Sequence, residues 1–188
     1  MDWRERLRQT TAPVEEDESS IWHAIFVMTG NEQTVKDKIA YTFKDSHILP
    51  IVPKRRIHER KNGVWNERIR PLFPGYILIK GYISTHDYYV LKTIPGILRV
   101  LRDEKEIYRI HPDEMRVISR LMINGELIGI SNVFRQGDNV VITDGPLLGL
   151  EGLIQSIDYR KGRAKVCLSF LGDKRTVDLG IRLIAQAT

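Results

Sequence analysis

The chain has 188 residues, 42% hydrophobic and 28% charged, which leaves room for one ordinary domain or two small ones, each with a core. No apolar run is long enough to span a bilayer, and the acidic, proline-containing start is unlike a signal peptide, so a cytoplasmic location is expected. A single cysteine, Cys167, excludes an internal disulfide framework, and its place in the alternating run "RAKVCLSF" marks it as a strand thiol rather than a nucleophile.

Charge divides the chain before any element does. The net charge is +5, but residues 1–20 carry −3, leaving about +8 on the remainder. With six acidic side chains and few large apolar ones, residues 1–20 are expected to be a disordered acidic tail. The basic remainder suits contact with a polyanion.

In chain order, "IWHAIFVMTG" (residues 21–30) predicts a buried first strand. Asn31 is placed to cap a helix whose apolar face is Val35, Ile39 and Phe43. Residues 47–81 read as strands around a hairpin, with Asn62-Gly63 supplying the two positive φ angles of a type I′ turn. Ser84 and Asp87 form a capping-box pair ahead of a second helix, and Gly96 ends that unit. "ILRVL" returns as a strand. Pro112, Asp113 and Glu114 open a third helix, with Met115, Ile118 and Met122 as its stripe and Asn124-Gly125 as its stop.

After a connector over residues 124–136 the pattern changes. From Gly137 onward only short alternating runs remain ("NVVIT", "LIQSI", "AKVCLSF", "RTVDL"), separated by turn residues, which predicts a small all-β barrel. The expected division is therefore a tail at 1–20, a mixed domain at 21–123, a linker at 124–136 and a barrel at 137–188.

Gly137, Val140, Val141, Gly145-Pro146, Gly149 and Gly152 resemble the KOW motif, in which a strand, a glycine loop and a second strand begin an SH3-like barrel. Trp22, Gly30 and Glu32, then "LFPGYILI" (residues 72–79), then "IPGILRVL" resemble the ordered motifs of the NusG N-terminal (NGN) domain. The resemblance runs from about residue 21 to the C-terminus. It implies an α+β fold: an α/β NGN domain with an antiparallel sheet and flanking helices, followed by an all-β SH3-like KOW barrel. It also implies a transcription elongation factor that acts on RNA polymerase and is not an enzyme. The Leu171-Gly172-Asp173 turn departs from the aromatic-glycine pattern of housekeeping NusG proteins. On this ground the chain resembles specialised members of the LoaP antitermination group, with a housekeeping NusG that couples polymerase to the ribosome or Rho as the alternative.

The resemblance assigns Phe73 and Tyr76 to the pocket for the polymerase clamp coiled coil. The bland alternative is two core residues of one strand; against it, Pro74-Gly75 breaks the alternation and should turn one ring toward a surface. Thr85 and His86 correspond to contacts with the opposite polymerase pincer, although a helix cap already accounts for Ser84. Arg160, Lys161, Arg163, Lys165, Lys174 and Arg175 lie at or beside two turns of the barrel. If those turns share one end, the cations form a single patch for nascent RNA. Lys54, Arg55, Arg56, Arg60 and Lys61, with Trp65 available to stack, give the hairpin a weaker claim on nucleic acid, upstream or non-template DNA included; a solvated charged edge explains them equally well. The histidines have no paired ligand spacing, so neither a metal nor another cofactor is expected, and the chain reads as a monomer.

Overall fold

A computed structural model describes residues 21–102, 106–136 and 139–184; the acidic tail expected at 1–20 lies outside the described residues. An α+β unit comes first. Strand β1 (Trp22–Val27) leads to α1 (Glu32–Thr42), β2 (Leu49–Ile51), and the long hairpin of β3 (Lys54–Lys61) and β4 (Val64–Pro71). Strand β5 (Tyr76–Lys80), α2 (Thr85–Thr93), β6 (Ile97–Val100) and α3 (Pro112–Leu121) complete it. A short strand β7 (Leu127–Ile128) leads to β8 (Ser131–Gln136), β9 (Asn139–Asp144), β10 (Ile154–Asp158), β11 (Arg163–Phe170) and β12 (Asp173–Leu183). No helix among the described residues is long and apolar enough to cross a membrane.

The central sheet runs β2-β5-β1-β6, antiparallel throughout. Its two inner strands are nearly continuous apolar runs, because both faces are covered. Ile25, Val27, Ile77 and Ile79 point to the side of α1 and α2, where Val35, Ile39 and Leu91 close one core. Ala24 and Leu78, on the alternate face, join Met115, Ile118 and Leu121 of α3 in a second core. That second core does not stop at α3. It continues into Val133, Val166, Leu168, Phe170 and Leu179 of the barrel, so one apolar cluster spans both units.

The caps follow the sequence with one exception. Ser84 and Asp87 make the full capping box, and His111 precedes Pro112 at the start of α3. Asn31 sits at the N-cap of α1 but makes no side-chain cap bond. Buried Glu32 occupies the place instead, its carboxylate accepting from the Gly30 and Gly75 N–H groups at 2.9 and 2.8 Å. One side chain thus ties the start of α1 to the Pro74-Gly75 turn beside Phe73.

The hairpin turns at Asn62 and Gly63 with φ of 51° and 82°, as a type I′ turn requires. It forms its own sheet, β4-β3-β7, in which β7 runs parallel to β3. Strand β4 is an edge exposed along most of its length. The barrel sheet runs β10-β11-β12-β8-β9 and confirms the all-β second part. Residues 124–136, expected to be a linker, hold ordered strands: β7 belongs to the hairpin sheet and β8 to the barrel sheet. Gly145, with φ of 92°, lies where a Cβ would meet the Ser131 backbone at 2.6 Å. Gly152 has open space around it, so steric need does not explain that glycine.

Glu32→Ala leaves two N–H groups without their acceptor, and we expect a loss of about 2–3 kcal/mol in denaturant unfolding, with Glu32→Gln losing less. His23 yields a second expectation. Its Nδ1 donates to the Tyr108 carbonyl at 2.9 Å, while buried Nε2 has no partner. Burial lowers its pKa from the ordinary 6.5, against the opposing Tyr108 bond. The unfolded chain therefore binds this proton more readily than the folded one. The stabilisation is complete above pH 6.5 and is lost as pH falls through the lower folded value. Melting temperature should fall between about pH 7 and 5, and His23→Phe should reduce that slope.

Candidate functional site

Leu72, Phe73 and the Pro74-Gly75 turn lead into β5, whose period of two sends Tyr76 to the face that also carries Ala24 and Leu78. Phe73 is 3% exposed, not surface-facing, whereas Tyr76 is half-buried. What buries Phe73 is the barrel. Phe170, the last residue of β11, stacks on Phe73 with centroids 4.0 Å apart and planes 4° from parallel. Tyr76 meets the same ring edge-on at 5.3 Å, and Phe26 meets Tyr76 at 5.3 Å from the other side. The Arg175 guanidinium lies over both Tyr76 and Phe170, at 5.1 and 5.2 Å.

Polar contacts hold the barrel in this place. The β11–β12 turn is Leu171-Gly172, with φ of 57° and 81°. The left-handed conformation of Leu171 is offset by the consecutive Leu171 and Gly172 N–H groups, which donate to the Glu114 carboxylate of α3 at 3.1 and 2.9 Å. At the other end of β11, Arg163 donates from Nε and Nη2 to the His58 carbonyl (3.2 and 2.7 Å) and from Nη1 to the Asp178 carboxylate (3.3 Å). Arg55 of β3 donates to the Asp178 carbonyl at 2.5 Å. Close approach matters here too: a Cβ on Gly180 of β12 would collide with the Arg56 carbonyl.

This arrangement corrects the expectation of a single basic patch on the barrel. The Arg160-Lys161 turn and the Leu171-Gly172 turn are at opposite ends of β11, whose eight residues separate them by roughly 23 Å. Arg163 is committed to the hairpin and Arg175 to the aromatic cluster, while Lys174 bonds Ser169 at 2.8 Å. Arg160, Lys161 and Lys165 are exposed. The Arg163–His58 bond brings the Arg160-Lys161 end against the hairpin instead, so barrel cations and hairpin cations meet across the two units.

The hairpin set is heterogeneous. Arg56 pairs with Glu67 at 3.3 Å, Lys54 bonds Gln33, and Arg60 bonds the Gly63 carbonyl at 3.1 Å. Lys61 and Arg68 are exposed, as is Trp65 beside Arg60 in the strand register. Thr85 and His86 are exposed in the first turn of α2, past the opposite end of β5 from Tyr76. The structure does not bring them to the aromatic cluster. Sequence patterning passed over Phe170 and Glu114: the first reads as an ordinary barrel-core residue, the second as a helix-dipole residue. Only their partners in the other unit distinguish them.

The family model described as "Transcription termination factor nusG" matches residues 20–119, and the KOW motif model matches residues 136–166. Over 180 residues the chain is 26% identical to the transcription termination/antitermination protein NusG of Thermus thermophilus, covering 88% of this chain and 98% of that one. It is 23% identical to the Buchnera aphidicola protein of the same name (91% and 98% covered) and 22% identical to that of Escherichia coli (88% and 96%). Among solved structures, one described as "Domain interaction in Thermotoga maritima NusG" is similar in fold, with a TM-score of 0.54 at 22% identity, covering 85% of this chain and 93% of that one.

Because the core is continuous, the whole chain should melt in one calorimetric transition. Phe170→Ala removes the ring above Phe73 and should cost about 3–5 kcal/mol, separating the melting of the two units. A single transition at the wild-type temperature in this variant would contradict the role given to the stack.

Proposed function

Because this chain belongs to the NusG family, we propose that it binds RNA polymerase through the surface around Phe73 and Tyr76 and promotes readthrough of terminators. The coarser statement is that it is a NusG-type transcription factor. One observation carries the finer reading: the aromatic rings Phe73 and Tyr76 of the first unit are covered by a ring of the separate barrel, Phe170. Aromatic side chains clustered in this way are typical anchors of a protein interface. The barrel would have to leave Phe73 before a clamp coiled coil could reach it. Polymerase binding then draws on the fraction of molecules that are open, and apparent affinity falls in proportion to that fraction.

The specialised antitermination reading gains support from the barrel tip. Leu171-Gly172 lacks the aromatic of the housekeeping pattern, and its N–H groups are held by Glu114. In this reading nascent RNA, a leader hairpin by preference, meets Arg160, Lys161 and Lys165 together with the cations of the β3–β4 hairpin. Upstream DNA is the competing polyanion for the same hairpin. Thr85 and His86 would contact a second part of polymerase, remote from Phe73.

Transcription in vitro through an intrinsic terminator, on several leader sequences, tests this. Wild-type protein should raise readthrough on a subset of leaders. Phe73→Ala and Tyr76→Ala should each weaken polymerase retention by at least about tenfold in folded protein. Arg160→Ala with Lys161→Ala should abolish the leader preference while polymerase retention persists. Equal effects on every leader would favour the housekeeping reading, and full retention of polymerase by both aromatic variants would remove the proposed site.

A further inference from the structure

Where β3, β4, the start of α1 and the barrel converge, there is a cavity of about 580 Å³. Ile69, Pro71 and Pro74 give it accessible apolar walls, and Lys54, Arg55, Arg70 and Arg163 line it with four cations. The acids that also border it are engaged. Glu32 accepts from Gly30 and Gly75, and Glu59 pairs with Arg70 at 2.8 Å. With Arg70 paired to Glu59 and Arg163 to Asp178, Arg55 and Lys54 remain as cations without a carboxylate bonded to them, and they outweigh the single charge of Glu32.

Arg55 is the residue that asks for a ligand. Its Nη1 donates to the Asp178 carbonyl, while Nε is buried and has no partner. Burial lowers its pKa from the ordinary guanidinium value; Asp178 and Glu59 oppose this, and Arg163 and Arg70 add to it. A guanidinium desolvated beside two other cations gains from an anion with several acceptor oxygens, which its planar fork can meet at more than one point. The volume falls in the range of small-ligand sites, and such sites favour domain interfaces.

We propose that this cavity binds a phosphate-bearing ligand of nucleotide size, with the phosphate on Arg55 and Lys54 and a ring against Ile69, Pro71 and Pro74. Arg163 comes from the barrel, and the other lining residues named come from the first unit. The cavity therefore has its full wall only when the barrel sits over Phe73, and binding in it favours that closed arrangement. The site itself does not depend on the transcriptional role proposed above.

Calorimetric titration of the full chain with inorganic pyrophosphate, ADP and a single-stranded RNA hexamer tests the proposal. ADP or the hexamer should saturate, and either should bind more tightly than pyrophosphate. Saturation by ADP assigns a free nucleotide as the source of the phosphate; saturation by the hexamer alone assigns a strand. Arg55→Gln keeps a donor for the Asp178 carbonyl but removes the charge, and should weaken binding by about tenfold. Lys54→Gln, on the rim, should weaken it by about threefold without lowering the melting temperature. Phe170→Ala, which releases the barrel, should also weaken it. No saturation by ADP or the hexamer, whatever pyrophosphate does, or wild-type affinity in both Arg55→Gln and Lys54→Gln, overturns the site. Wild-type affinity in Phe170→Ala overturns its link to closure.

Discussion

Phe73 can be buried only because Phe170 covers it, and Phe170 can end a barrel strand in an apolar setting only because Phe73 and Tyr76 receive it. Each ring removes apolar surface from water worth about 2–3 kcal/mol, a stabilisation shared between two units that are far apart in sequence. Together with α3, this mutual cover buries the second face of β1 and β5 and explains why they are apolar on both faces. A sheet with helices on one side and water on the other would alternate, with polar residues at Ala24 and Leu78.

The polar contacts have a different part in the assembly. Glu114 on the Leu171-Gly172 turn and Arg163 on His58 grip the two ends of β11, so they fix the barrel's orientation more than they supply bulk stability. The Arg163 contact and the aromatic cluster redistribute charge. Arg163 and Arg175 leave the set of available cations, and the Arg160-Lys161 end is set beside the hairpin. A nucleic acid approaching the closed form would meet a surface built from both units and belonging to neither.

The sequence made local matters legible. The capping box at Ser84, the type I′ turn at Asn62-Gly63 and the all-β pattern after residue 137 depend on neighbours within a few residues, and each appears as expected; the stripe of α3 keeps Met115 and Ile118, but Leu121 completes it and Met122 is the C-cap. Relations across the chain were not legible. "RAKVCLSF" announces that Phe170 faces a core but not whose core, and Glu114 gives no sign of its partners more than fifty residues away. The single basic patch failed for a similar reason: turns adjacent in sequence on either side of one strand must point to its opposite ends. Asn31 is the local exception, displaced because Glu32 next to it could satisfy two N–H groups at once.

The connection between the units is short in its free part. Strand β7 ends at Ile128 and β8 begins at Ser131, so Gly129 and Ile130 alone are outside both sheets. A barrel released on so short a tether stays close to the surface it left, at an effective concentration of millimolar order. Closure is then a unimolecular equilibrium, indifferent to how much protein a cell makes. A competitor for the Phe73 surface must outbid a partner that never diffuses away, so dilution or overproduction leaves the open fraction unchanged.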